Sequence, residues 1–252
     1  MNQTVINALQ LLDYFMGEPN ELSLHEVYKK TDMSKPTVYR LLSSLEYCGF
    51  LTKVKVSDRD IRYRLGLKLL EFGNIVAEQL DLRKIVLPFM KELRDEINEI
   101  VHLVVMDGDQ ATYIEKVESS QTIRLYTRVG KSTPLYAGSG PKLLLAFLPE
   151  VHQEKIISKL DLYPLTENTI VDKNQLREEL KMIREQGYAI SDGEQNLDTI
   201  GISYPIRDYT GDVAAALSVS GPSNRFQAKR SLIMDKTKGT ADRISRNLGL
   251  KE

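Results

Sequence analysis

The sequence predicts an α+β chain of two domains, a small N-terminal one made of helices and one hairpin, followed by a larger mixed domain. Three patterns carry this. In SKPTVYRLLSSLEYCGFLTK, residues 34–53, Val38, Leu41, Leu42 and Leu45 fall on a helical i, i+3, i+4, i+7 stripe. Two period-two segments follow, joined by the polar connector Ser57-Asp58-Arg59-Asp60, which is the pattern of a β-hairpin. From residue 100 onward, alternating apolar segments with hairpin-type connections are interleaved with helical ones, as in an α+β domain.

The 252 residues suit two domains at ~100–200 residues each. A net charge of -1 gives no bulk attraction to polyanions, so any nucleic-acid affinity must come from local basic charge. Cys48 is the sole cysteine, which excludes an intrachain disulfide and fits a reducing cytoplasm. No apolar run approaches the ~18 residues of a membrane span and no signal peptide is evident, so a cytoplasmic protein without a membrane partner is expected.

Val5, Ile6, Leu9, Leu12 and Met16 predict a first helix over residues 5–16, stopped by Gly17-Glu18-Pro19-Asn20. Ser23 and Glu26 form a capping box, opening a short helix with Leu24, Val27 and Tyr28 inward. Thr31-Asp32-Met33 turns the chain; Ser34 caps the next helix, Pro36 fits its first turn, and Gly49 ends it. Val54 and Val56 then alternate with Lys53 and Lys55, and Ile61, Tyr63 and Leu65 alternate with Arg62 and Arg64. This order is a winged helix-turn-helix over residues 1–65, with the helix pair at 23–42 and the wing at 51–65.

The outer face of the third helix carries Lys35, Thr37, Tyr39, Arg40, Ser43 and Ser44, with Ser34 at its start. A major groove admits one helix and is read near that helix's N-terminal end, which places Lys35, Thr37, Tyr39 and Arg40 at base edges. Ser43 and Ser44 are expected at phosphates, as are the hairpin cations Lys53, Lys55, Arg59, Arg62 and Arg64. Asp13, Glu18 and Glu21 are expected away from this face. The competing reading is a solvated helix face; the ordered set of three helices and a basic hairpin favours DNA.

A linker helix is expected at 66–81, with a stripe of Leu67, Leu70, Ile75, Val76 and Leu80 that either pairs with its twin in a second copy or packs on its own chain. Leu82, Ile85, Phe89, Leu93 and Ile97 form a second stripe, kinked or divided at Pro88. In the domain at 82–252, strands are expected at 101–106 and 111–117, through Ile123, Leu125, Thr127 and Val129, and at 201–206 and 213–220. Helices are expected near 151–160, 174–186 and 227–247, with a loop after Gly187-Tyr188-Ala189-Ile190.

An enzyme finds little support. Neither Ser139 in GSGP nor Ser203 in GISYP completes a G-x-S-x-G elbow. His25, His102 and His152 are scattered, and no H-E-x-x-H, cysteine pair or P-loop occurs, so no catalytic residue, metal or cofactor is expected. His102 is expected as a packed histidine with its hydrogen bonds satisfied. What remains is a pocket: AGSGP, 137 to 141, opens a helix at Pro141 and offers amides to an anion, unless its glycines merely permit a turn. Ser218 and Ser220 share one strand face, opposite Leu217 and Val219.

KPTVYRLLSSLEYCGFL, YRLGLKLLEFG, AGSGPKLLLAFLP and GYAISDGEQNLDTIGISYPIRDYTGDVAAALSVSGPSNRF together resemble IclR-type bacterial transcriptional regulators over nearly the whole chain. The resemblance implies a winged helix joined by a linker helix to a GAF-like effector-binding domain, acting on operator DNA as a homodimer or dimer of dimers. It also implies a small-molecule effector, often a carboxylate or aromatic acid. By position the family pocket maps to Ala137, Gly138, Ser139, Gly140, Ser191, Asp192, Gly201, Ser218 and Ser220. Two departures stand out: Gly193 replaces an acid in Asp192-Gly193-Glu194, and Gly201 stands where many members carry a cysteine. The expectation is a metabolite-controlled regulator, a repressor rather than an activator. The alternative is a metabolite-binding protein or enzyme with an incidental helix-turn-helix.

Overall fold

The computed structural model describes every residue except 56, 58, 59, 80, 123–126 and 252, with the backbone alone for 76–79 and 81. It comprises two compact units, Met1–Leu80 and Asp81–Glu252.

The first unit begins with α1 (Gln3–Gln10), capped by Asn2, whose side chain accepts from the Thr4 amide, and followed by a 3-10 turn over Leu11–Phe15. Then come β1 (Leu22–Ser23), α2 (Leu24–Lys29), α3 (Lys35–Tyr47), β2 (Leu51–Lys55), β3 (Ile61–Leu65) and α4 (Lys68–Gln79). The strands form an antiparallel sheet in the order β1-β3-β2. The capping box forms: Ser23 Oγ accepts from the Glu26 amide at 3.3 Å, and Glu26 Oε2 accepts from the Ser23 amide at 2.7 Å. The α3 stripe of Val38, Leu41, Leu42 and Leu45 is buried against Leu11, Phe15, Leu22, Val27, Leu51 and Tyr63. Each fully buried aliphatic contributes roughly 1.5–3 kcal/mol.

Several expectations change here. The first helix buries none of its residues; Val5, Leu9 and Met16 are exposed, while Leu11 and Phe15 are in the core. The tighter 3-10 turn rotates these two inward and breaks the 3.6-residue phase. Tyr28 lies at the surface. In the hairpin only Tyr63 is buried among Ile61, Tyr63 and Leu65, because the small core covers just the middle of β3.

The second unit runs α5 (Asp81–Ile97), β4 (Ile100–Asp107), β5 (Gln110–Val117), β6 (Ser132–Pro134), α6 (Ser139–Ala146), α7 (Glu150–Lys159), α8 (Lys173–Gln186), β7 (Ala189–Asp192), β8 (Thr199–Arg207), β9 (Val213–Pro222), α9 (Ser223–Ala228) and α10 (Arg230–Asn247). Its six strands pair antiparallel in the order β6-β5-β4-β9-β8-β7. One face of this sheet meets α5 and α10 through Val101, Leu103, Ile202, Leu217 and Val219. The other meets α6 and α8 through Val104, Ala189 and Ala216. All eight α6 residues are buried, as suits a helix apolar almost all round.

Pro88 neither divides nor ends α5, and the buried face of that helix is Val86, Met90, Leu93 and Ile97 rather than the stripe through Ile85 and Phe89. The expected strand through Ile123 and Leu125 falls outside the described residues, and Thr127 to Val129 is not strand. Ala189–Asp192 form β7, whose N–H and C=O groups pair with β8, and the expected loop follows over residues 193–198. Helix α6 starts two residues before Pro141, and the last helix is interrupted at Lys229. Among the described residues no helix is long and apolar enough to cross a membrane, and no three or more His, Cys, Asp or Glu side chains cluster as metal ligands.

Candidate functional site

On α3, Lys35, Tyr39 and Arg40 are exposed and Thr37 is half-buried. Lys35 and Arg40 make no ion pair among the described residues. Ser34 Oγ pairs with Thr37 Oγ1 at 2.9 Å, so the cap is a hydroxyl pair rather than a bond to an amide. Ser44 Oγ donates to the Arg40 carbonyl at 2.9 Å. Ser43 departs from the expected outer face: one position after Leu42, it lies at the rim of the buried stripe, its Oγ buried and unpartnered.

The hairpin cations face carboxylates. Lys53 Nζ lies 2.8 Å from Glu46, Arg62 3.2 Å from Asp60 and 3.7 Å from Glu26, and Arg64 3.5 Å from Glu21. Arg62 also donates to the Glu21 carbonyl at 3.3 Å, so Glu21 does not lie apart from the basic face. The cause is β1, whose pairing with β3 draws Glu21 against the wing. Lys55 is exposed, and Arg59 lies outside the described residues.

In the second unit, β4, β9, β8 and β7 exchange apolar for polar residues where they pass under the start of α6. Cross-strand register lines up His102, Ser218 and Ser203 in one row and Ser220, Gly201 and Ser191 in the next. Side chains in such rows share a face. Helix α6 sits close above: a Cβ on Gly140 would come within 2.8 Å of Ser218 Oγ. One on Gly201 would come within 2.9 Å of Ser139 Oγ and 3.1 Å of Ser220 Oγ. Between them opens a cavity of about 400 Å³, with Gly138, Ser139, Gly140, Ser191, Gly201, Ser218 and Ser220 in its walls. Ala137 is instead buried in the α6–α8 core, and Asp192 is exposed at the end of β7; neither lines the cavity.

The turn into α6 is held from within. Gly138 has φ +92°, a conformation costly for any residue with a Cβ. Its N–H donates to Glu194 Oε2 at 2.9 Å, so the chain's own carboxylate occupies part of the expected anion site. Glu194 Oε1 accepts from the buried Lys142 ammonium at 2.5 Å, and Glu179 takes the same ammonium at 2.6 Å. Gln195 Nε2 donates to the Ala137 carbonyl at 2.7 Å and to Thr133 Oγ1 at 2.9 Å. Ser203 Oγ donates to Ser139 Oγ at 2.8 Å and pairs with Ser218 Oγ at 2.6 Å, tying helix to sheet.

His102 differs from expectation. Both its ring nitrogens are buried without a partner, and the ring meets Tyr113 edge-on at 5.2 Å. Burial, and next the charge of Lys116, lower its pKa to about 3, so the imidazole is neutral near pH 7. Burial likewise raises the Tyr113 phenol to about 12, against a hydrogen bond with Gln195 that lowers it.

Sequence reasoning missed Lys142, Glu194, Gln195 and Ser203. Ser203 was within reach of the period-two argument that paired Ser218 with Ser220, since it shares a face with Gly201. Lys142 also left a signal: a lone cation in the apolar run PKLLLAFLP requires a buried counter-charge.

Two family models match the chain. The IclR helix-turn-helix domain covers residues 4–55, and the bacterial transcriptional regulator IclR C-terminal domain covers residues 75–246. The HTH-type transcriptional regulator KipR of Bacillus subtilis is 40% identical over 249 residues, 98% of each chain. The IclR of Thermotoga maritima has a solved structure at a TM-score of 0.76 and 33% identity, covering 98% of this chain and 99% of that one. An IclR homologue from Microbacterium hydrocarbonoxydans, solved in complex with 4-hydroxybenzoate, aligns at a TM-score of 0.81 and 25% identity over 97% and 98% of the two chains. With both units matched in order, the chain belongs to the IclR family of DNA-binding transcriptional regulators, which carry an effector-binding C-terminal domain.

Proposed function

We propose that this protein is a cytoplasmic repressor whose operator binding is set by a small carboxylate or aromatic acid held beneath the start of α6. Lys35, Thr37, Tyr39 and Arg40 read bases, and Lys53, Lys55, Arg59, Arg62 and Arg64 hold phosphates. Two copies bind together, each placing one α3 in a major groove. Leu67, Leu70, Phe72 and Ile75, all exposed on and beside α4, support pairing between copies. No catalytic role is proposed.

The observation that carries this reading is the polar cavity at the α6 turn, in a chain whose other unit exposes a cationic helix end. Support for an acid as ligand comes from the Ser139 and Gly140 amides, which have no intrahelical acceptor, and from the 4-hydroxybenzoate held by the Microbacterium relative. The ligand acts by binding the DNA-competent and incompetent arrangements with different affinity. Coupling of ~1–3 kcal/mol corresponds to a change of roughly 5–150-fold in operator affinity.

The test is fluorescence anisotropy of the full chain on DNA from upstream of its own gene, at moderate ionic strength, against random competitor. Specific binding altered by a candidate acid is expected. Binding that is indifferent to sequence, or a specific complex that no small acid alters, overturns the corresponding half of the proposal.

A further inference from the structure

His102 lines the cavity and is 2% exposed, yet neither ring nitrogen has a hydrogen-bond partner. Burying an imidazole in that state costs free energy that a bound ligand would return. Register sets His102 directly opposite Ser218, and Ser218 Oγ lies against Gly140, so the ring and the first turn of α6 flank one space. At that turn the Ser139 and Gly140 amides have no intrahelical acceptor, and they lie at the positive end of an eight-residue helix. Lys131 adds a cation to the lining, and the one carboxylate among the described lining residues, Glu194, is already paired with the Lys142 ammonium.

The remaining wall is polar. Ser191, Asn196, Thr199 and Ser220 present hydroxyls and an amide; among the described lining residues the hydrophobic side chains are Leu197 and the Tyr113 ring. An aromatic or plain alkyl ligand would strand those groups without partners. A neutral imidazole donates through one nitrogen and accepts through the other, which is the complement of a hydroxyl.

We propose that His102 is a ligand-contacting residue that selects the effector, and that the effector is a short aliphatic carboxylate bearing hydroxyl groups, its carboxylate at the α6 turn and a hydroxyl at His102. This rests on the cavity being the effector site. Hydroxylated acids then bind well above their unhydroxylated counterparts, because a site built to bond a hydroxyl rejects the analogue that lacks it.

The experiment is titration calorimetry of the full-length protein with gluconate, glycerate, hexanoate and benzoate. A hydroxy acid is expected to bind at least about tenfold more tightly than hexanoate or benzoate. His102→Phe is expected to abolish that preference, while His102→Gln retains it. The unliganded melting temperature of His102→Phe should be unchanged or raised, since a buried unbonded group has been removed. The proposal is overturned if neither hydroxy acid binds at millimolar concentration, if hexanoate or benzoate binds as tightly, or if His102→Phe binds the hydroxy acid undiminished. Should His102→Phe not fold, the wild-type ranking and His102→Leu decide in the same way. Benzoate binding that alters operator affinity, and that Ser220→Leu abolishes, would end this proposal and leave the regulator reading standing. Wild-type protein without specific operator binding would end the regulator reading whichever acid binds.

Discussion

The Glu194 carboxylate spans the first turn of α6, taking the Lys142 ammonium at 2.5 Å on Oε1 and the Gly138 amide at 2.9 Å on Oε2. Both side chains are nearly inaccessible, at 1% for Lys142 and 8% for Glu194. Glu194 is anchored in turn, its carbonyl accepting from Thr169 Oγ1 at 2.7 Å. The left-handed Gly138 turn, and with it the position of the Ser139 and Gly140 amides, is thus fixed by an ion pair inside the protein.

Removing one member of such a pair leaves an uncompensated buried charge. Lys142→Met is expected to lower the stability of the larger unit by ~3–5 kcal/mol, because Glu194 and Glu179 would then face each other without a cation. Glu194→Gln should cost less, as its amide oxygen still accepts from Gly138. Urea denaturation of the three proteins measures both differences; a Lys142→Met variant as stable as wild type would contradict the structural role given to the pair.

The exposed end of α3 and the wing should respond differently to truncation. Arg40→Ala is expected to lose ~1–3 kcal/mol of operator binding and to relax preference at one base position. Arg64, 3.5 Å from Glu21, represents the proposed phosphate contacts. Its replacement by alanine should weaken all sequences alike and reduce the salt slope by about 1. Anisotropy titrations over a salt series separate the two, and identical behaviour of the variants would dissolve the distinction.

Where a single local period decides burial, the fold is legible in the sequence. The α3 stripe, the capping box and the alternation of Leu217 and Val219 with Ser218 and Ser220 all appear as their spacing predicts. Phase is harder to read where both faces of a helix carry apolar residues, as in α5, where Val86 and Met90 rather than Ile85 and Phe89 are buried deepest. The two-residue strand β1 has no signal of its own, since its pairing depends on β3 being in place. Least legible are the polar ties of the pocket. Lys142 and Glu194 lie 52 residues apart, and the buried Glu99 and its half-buried partner Arg225 lie 126 apart. No periodicity links residues at such separations.

Gly201 gives a way to close the cavity without touching α3. A Cβ there would press on the Ser139 and Ser220 hydroxyls, and valine adds two methyl groups in the same direction. Gly201→Val should cost ~1–3 kcal/mol of stability through overpacking. It should also abolish the effect of any ligand on operator affinity while leaving unliganded operator binding in place. A ligand response of wild-type size in this variant would place the site elsewhere.

Acid sensitivity isolates His102. Its imidazole titrates near 6.5 when exposed and at about 3 in the folded chain, because burial penalises the cation. Between these values the unfolded chain binds a proton that the native chain refuses, so stability falls as pH falls. The neutral form's full contribution is therefore present above pH ~6.5 and is lost progressively toward pH ~3. From pH ~7 to pH ~5 this amounts to ~2 kcal/mol, at ~1.4 kcal/mol per pH unit well inside the window. Phenylalanine at position 102 cannot titrate, so urea melts of His102→Phe should lose that much less stability than wild type on the same acidification. Equal losses in the two proteins would mean that this histidine is not held neutral by burial.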